Sequence, residues 1–228
     1  PGGHWNALNG RSDPFPPTTV WSYGPAEDGL PDSSAFPGGA VGLAPATNSQ
    51  FNYPAFTVEV TNGPDDMSGT PVTVDWINEL KEDFGAGKNF LPHLLPVDQT
   101  LHWANPGANC IDGTRRTDCR GDSNQPYTGP VPIVTHVHGS HADPESDGYA
   151  EAWWRPDPTG SNFSCVTDPA QARDAKYVCQ GSLANGFGKA ANTNATPGVG
   201  TFTYPNDQPS TTLWYHDHSL GMTRNNVY

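Results

Sequence analysis

The sequence predicts an all-β domain, a Greek-key β-sandwich or barrel carrying long loops, and three observations carry that prediction. Glycine (25) and proline (24) together make about a fifth of the 228 residues, a density that breaks helical ladders and fills the chain with turns. Several short segments alternate apolar and polar residues with the period of two that belongs to strands. The connections between them are long and polar, as in Greek-key folds. Hydrophobic residues are 34% and aromatics 11% of the chain, seven of them Trp, enough apolar surface for one core wrapped in irregular backbone.

Residues 1–50 are rich in Pro, Gly, Ser and Asp and read as an extended N-terminal arm; 51–228 form the domain. The first expected strand is 56–60, where Phe56, Val58 and Val60 alternate with Thr57 and Glu59. A turn signal at 62–66 leads to the second, Val72–Ile77, with Val72, Val74 and Trp76 on one face. The stretch from Phe90 to Trp103 holds prolines and reads as edge or loop. Residues 104–130 and 155–200 read as long loops, each holding two cysteines. Between them, 131–138 is a mostly β-branched strand ending at Gly139, and a last strand runs from about Thr211 to His218.

The charge excludes some partners. With 24 acidic against 11 basic residues the net charge is −13, which repels phosphate backbones, so no nucleic-acid partner is expected. No apolar run is long enough to cross a bilayer, so no membrane partner is expected either. The chain opens at Pro1 rather than Met, as expected if a leader or tag has been removed. Cys110, Cys119, Cys165 and Cys179 form no C-x-x-C pair. Local pairing, Cys110 with Cys119 and Cys165 with Cys179, would staple the two long loops and imply an oxidising compartment; free buried thiols are the alternative.

Chemistry concentrates at two histidine pairs. In Thr135-His136-Val137-His138-Gly139, strand geometry projects His136 and His138 to one side, with Cα atoms roughly 6.5–7 Å apart. That spacing suits two neighbouring ions better than chelation of one. Trp214-Tyr215-His216-Asp217-His218 repeats the arrangement. Imidazoles without thiolate suit copper, zinc, iron or nickel. A lone H-x-H would be a solvent-facing strand pair; two at the ends of apolar strands point to metal.

These motifs carry a resemblance. His136-Val137-His138-Gly139, followed by Asp143, Asp147, Gly148, Tyr149, Glu151 and Trp153, resembles the first copper motif of multicopper oxidases. Leu213-Trp214-Tyr215-His216-Asp217-His218, running on through Met222 to Tyr228, resembles the second. Upstream, residues 20–23, 57–60, 74–78 and 95–102 are similar to the bacterial spore-coat laccases and bilirubin oxidases. The likeness covers the chain in patches from about residue 20 onward, and the loops at 104–130 and 155–200 look enlarged beside that group.

The resemblance implies a cupredoxin-like first domain, incomplete at its C-terminal end, that supplies half the ligands of a trinuclear copper cluster. It implies that His136 binds the type 2 copper, that His138 and His216 share one type 3 copper, and that His218 binds the other. It assigns Asp147 a part in proton delivery; the alternative is a turn-capping Asp before Gly148. No cysteine here is flanked by histidines, so the type 1 copper and the remaining ligands that the resemblance implies are expected on a companion chain or in missing C-terminal domains; the alternative is a remnant.

The expected function is therefore part of a laccase-like oxidoreductase, with phenolic or aromatic compounds or metal ions as electron donors and dioxygen as acceptor. Its expected location is secreted, periplasmic, or on a cell or spore surface. The alternative is a non-catalytic copper-binding or structural cupredoxin; a zinc hydrolase is the weaker third reading, because one motif does not assemble three ligands and a base. His93, His102 and His141 lack spacing partners and read as structural or surface groups. Trp153, Trp154, Trp214 and Tyr215 read as packing residues of the core and its interface. Asp217 points opposite to its flanking histidines and reads as a strand-surface residue, with a supporting partner of the histidines as the alternative.

Overall fold

The computed structural model describes residues 21–24, 55, 57–61, 69–80, 90–107, 109–120, 123–158, 164–167, 177–184 and 197–227. The chain forms two compact units, Pro1–Val58 and Glu59–Tyr228. Apart from 21–24, the expected arm at 1–50 lies outside the described residues. Every described strand belongs to the second unit.

The protein is all-β. Eight strands are described: β1 (Val72–Ile77), β2 (His102–Ala104), β3 (Asp118–Arg120), β4 (Thr135–His138), β5 (Cys165–Val166), β6 (Tyr177–Val178), β7 (Val199–Tyr204) and β8 (Trp214–Asp217). The one described α-helix, α1, is a single turn, Thr223–Asn226. β1 pairs with β7, β2 with β3 and β4 with β8, all antiparallel, while β5 and β6 run parallel. Pairs joined by such long excursions are consistent with a cupredoxin-like fold.

The β1–β7 ladder shows why these sequences pair. Val74 stands opposite Phe202 and Trp76 opposite Gly200, and the missing side chain at Gly200 makes room for Trp154, whose ring would lie 2.4 Å from a Cβ there. Trp76 Nε1 donates to the Tyr204 hydroxyl at 3.0 Å. On the exposed side the Thr73 and Thr203 hydroxyls meet at 3.0 Å, and the Thr201 hydroxyl donates to the Asp75 carboxylate. Such cross-strand pairs contribute roughly 0.2–1 kcal/mol each. Trp103, Trp153, Trp154, Val134, Phe202 and Met222 are among the buried residues of the core. Asn78, also buried, donates to the Val131 and Trp154 carbonyls and ties the end of β1 to the segment entering β4.

Several expectations change. Residues 57–60 do not form a strand: Val58 and Val60 are 50% and 48% exposed, so their alternating face is uncovered, and Phe56 lies outside the described residues. The strand expected over 131–138 is shorter. Pro130 and Pro132 bring no N–H to a ladder, Ile133 makes only an isolated bridge to Trp154, and regular pairing begins at Thr135. The 104–130 segment is not pure loop, since β3 returns to β2 with Cys119 opposite Trp103. The expected 155–200 loop contains β5 and β6, and β7 begins inside its end. Both disulfides form with the local pairing, Cys110–Cys119 and Cys165–Cys179.

Candidate metal centre

β4 and β8 lie antiparallel with His136 opposite His216 and His138 opposite Trp214. Opposed residues share a face, and a residue two along the strand returns to it. His136, His138, Trp214, His216 and His218 therefore stand on one side of the ribbon, while Thr135, Val137, Tyr215 and Asp217 point to the other. The ring centroids confirm the grouping: His136 lies 5.5 Å from His138, 5.6 Å from His216 and 4.9 Å from His218. His216 lies 5.7 Å from His138 and 5.8 Å from His218. The structure thus brings together all four histidines of the two motifs.

Three of the rings are oriented by backbone carbonyls. A carbonyl oxygen can only accept, so each contact fixes the proton on Nδ1 and leaves the Nε2 lone pair for a ligand. His136 Nδ1 donates to the Asp147 carbonyl, His216 Nδ1 to the Asp217 carbonyl at 2.7 Å, and His218 Nδ1 to the Gly148 carbonyl at 3.1 Å. His138 differs: its Nδ1 faces His216 Nε2 at 3.4 Å. Two imidazole nitrogens about 2.0–2.1 Å from one ion, at a near-tetrahedral angle, stand about 3.4 Å apart. That pair could hold one ion between them. Among the described residues no group of three His, Cys, Asp or Glu side chains converges on a single ion, so further donors would be needed to complete each coordination sphere. Burial, and then the neighbouring His136 and His216, hold His218 below the usual imidazole pKa, which keeps it in the neutral form a metal requires.

The turn after β4 supplies two of those carbonyls. Pro144 opens a 3-10 turn, Pro144–Ser146, behind Asp143, and Gly148 at φ +74° folds the chain back onto β4. Asp147 ends that turn as its C-cap, and besides its carbonyl it places carboxylate Oδ1 3.4 Å from His136 Nδ1.

Asp217 corrects an expectation. It is buried, not on the strand surface, because the residue between two site histidines must face the core. Its carboxylate accepts from Val134 N (2.9 Å), Ser219 N (3.1 Å), Ser219 Oγ (2.9 Å) and Asn226 Nδ2 (2.9 Å), joining β4, β8 and α1. Burial outweighs those donors and pushes its pKa up to about 6. Trp214, expected among the packing aromatics, is 59% exposed and lies against His138 with centroids 4.5 Å apart. Trp153 and Trp154 are buried as expected, and Tyr215 packs on Trp76 at 5.5 Å. The single histidines have other partners: His102 binds Asp118 at 2.6 Å, His141 binds Asp207 at 3.2 Å, and His93 packs on Tyr127.

No protein-family model matches the chain. Among curated proteins, it is 31% identical over 200 residues to multicopper oxidase LPR1 homolog 1 of Oryza sativa subsp. japonica, covering 87% of this chain and 22% of that one. It is 31% identical over 157 residues to a laccase of Bacillus stratosphericus, covering 69% of this chain and 19% of the laccase. A laccase of Bacillus subtilis (strain 168) is 26% identical over 94% of this chain and 24% of its own length. The chain spans about a fifth of the length of these curated relatives. Across most of its own residues, the chain is homologous to the multicopper oxidases and laccases.

Proposed function

We propose that this chain is part of a laccase-like multicopper oxidase and supplies half the histidine ligands of a trinuclear copper cluster. The whole enzyme would oxidise phenolic or aromatic donors or metal ions and reduce dioxygen to water. The observation that carries this reading is the four-imidazole face of β4 and β8, with three Nε2 lone pairs and the His138–His216 nitrogen pair turned to it.

In this reading His136 serves the type 2 copper through Nε2. His138, through Nδ1, and His216, through Nε2, share one type 3 copper; His218 serves the other. Copper bound there would supply the one-electron chemistry that links donor oxidation to oxygen reduction. The chain's own residues orient the ligands and handle protons. The Asp147 carboxylate, about a third exposed and 3.4 Å from His136 Nδ1, can hold a proton between solvent and the site. The other histidine ligands and the type 1 copper come from sequence outside these 228 residues. The two disulfides favour an oxidising location: secreted, periplasmic, or on a cell or spore surface.

Oxygen uptake with a phenolic donor, measured on purified protein with every co-purifying polypeptide retained, tests the proposal. Uptake is expected, and His138→Ala or His216→Ala should abolish it by opening the shared ligand pair. Full turnover in either variant would sink the ligand assignment. No uptake in the parent protein would favour a non-catalytic copper-binding role.

A further inference from the structure

We infer that Gly148 is a positioning residue that decides which ring nitrogen His136 and His218 present. The inference rests on the reading of these histidines as metal ligands, but its structural part concerns the metal-free chain. A neutral imidazole carries one N–H, and the partner of that N–H determines where the lone pair lies. Here the two acceptors are consecutive carbonyls, Asp147 O and Gly148 O, taking the Nδ1 protons of His136 on β4 and of His218, just past the end of β8. One peptide segment thus sets the tautomer of a histidine from each side of the β4–β8 pair.

It can do so only by lying against β4 at a distance no side chain permits. A Cβ at residue 148 would stand 2.2 Å from the Thr135 carbonyl oxygen and 2.8 Å from His136 Cα. Both neighbours are backbone of the strand that carries His136, so the turn would have to give way. Gly148 also holds φ +74°, a conformation that side chains disfavour. On its other side the turn is pinned to β7, where the buried Ser146 hydroxyl accepts from Thr203 N at 3.0 Å. Any residue with a side chain at 148 therefore displaces both carbonyls together. His216 is independent of this device, because its Nδ1 partner is the carbonyl of Asp217 on its own strand. It is an internal control.

The experiment is two-bond nitrogen–proton correlation NMR of the imidazoles in the metal-free 228-residue chain, at a pH where they are neutral, followed by Zn2+ and Cu2+ titration calorimetry. In the parent chain His136, His216 and His218 should all carry the proton on Nδ1. Gly148→Ala should leave His216 so and mix the tautomers of His136 and His218, with metal affinity reduced about tenfold or more. Ser146→Ala should produce the same pattern in weaker form and keeps the test open if Gly148→Ala does not fold. Gly113→Ala controls for backbone strain, since Gly113 has φ +78° with nothing within 4 Å of its Cβ position, and should move none of the three. Unchanged tautomers at His136 and His218 in both turn variants would overturn the inference, as would an equal shift at His216. The expected tautomers, in a protein that takes up no copper even with every co-purifying polypeptide retained, would support the turn's role and sink the oxidase reading alone.

Discussion

Lowering the pH should expose one buried imidazole as a cost to folding. His93 lies against the Tyr127 ring, with centroids 5.8 Å apart. Burial lowers its pKa from 6.5 to about 4, with the Asn226 side chain acting weakly the other way. Between those values the unfolded chain binds a proton that the folded chain refuses, so stability falls as the pH drops from about 6.5 to about 4 and levels off below. At about 1.4 kcal/mol per unit, with a discount for partial exposure, His93 accounts for about 2–3 kcal/mol across the window. Asp217 acts in the opposite direction. Its raised pKa means the folded state holds a proton longer than the unfolded one, so acidification from about 6 towards 4 favours folding. The two offset each other in the parent protein, and the informative quantity is a difference. Urea unfolding followed by Trp fluorescence at pH 8, 6.5, 5 and 4 should be run on the parent and on His93→Gln, which cannot be protonated. Parent stability minus variant stability should fall by about 2–3 kcal/mol between pH 6.5 and 4. A flat difference would refute the reasoning, because it would mean that the His93 ring is as well solvated in the folded state as in the unfolded one.

Two further perturbations test the packing of the core and its disulfide-linked strands. Gly200→Val sets a side chain against the Trp154 ring and should cost about 1–3 kcal/mol through overpacking; an unchanged urea midpoint would mean that Trp154 does not rest on this strand. Replacing Cys110 and Cys119 by serine opens a crosslink between residues nine apart and should cost about 2–3 kcal/mol, read from the same midpoint; no loss would mean that the β2–β3 pair is held by its other contacts.

The all-β class and β1 were legible because Val72, Val74 and Trp76 alternate cleanly with polar residues. The four histidines were legible as a face because the period of a strand is fixed by backbone geometry. β7 was harder. Phe202 and Tyr204 alternate with Thr201 and Thr203, but they follow a Gly-, Ala- and Asn-rich run, and their partner β1 lies more than a hundred residues away. The direction of Asp217, away from its flanking histidines, was legible from the strand period; its burial was not, because an acidic residue in a strand ordinarily faces solvent and nothing local marks that opposite face as the core. The burial of Ser146 and the approach of Gly148 to Thr135 were not legible, because both depend on a long-range closure of the turn against β4 and β7.

The most direct measurement is the copper content of the native protein per copy of this chain, by elemental analysis, with every associated polypeptide retained through purification. The account predicts close to four coppers per copy, the three of a trinuclear cluster and one type 1 ion. A value of zero or one would contradict it.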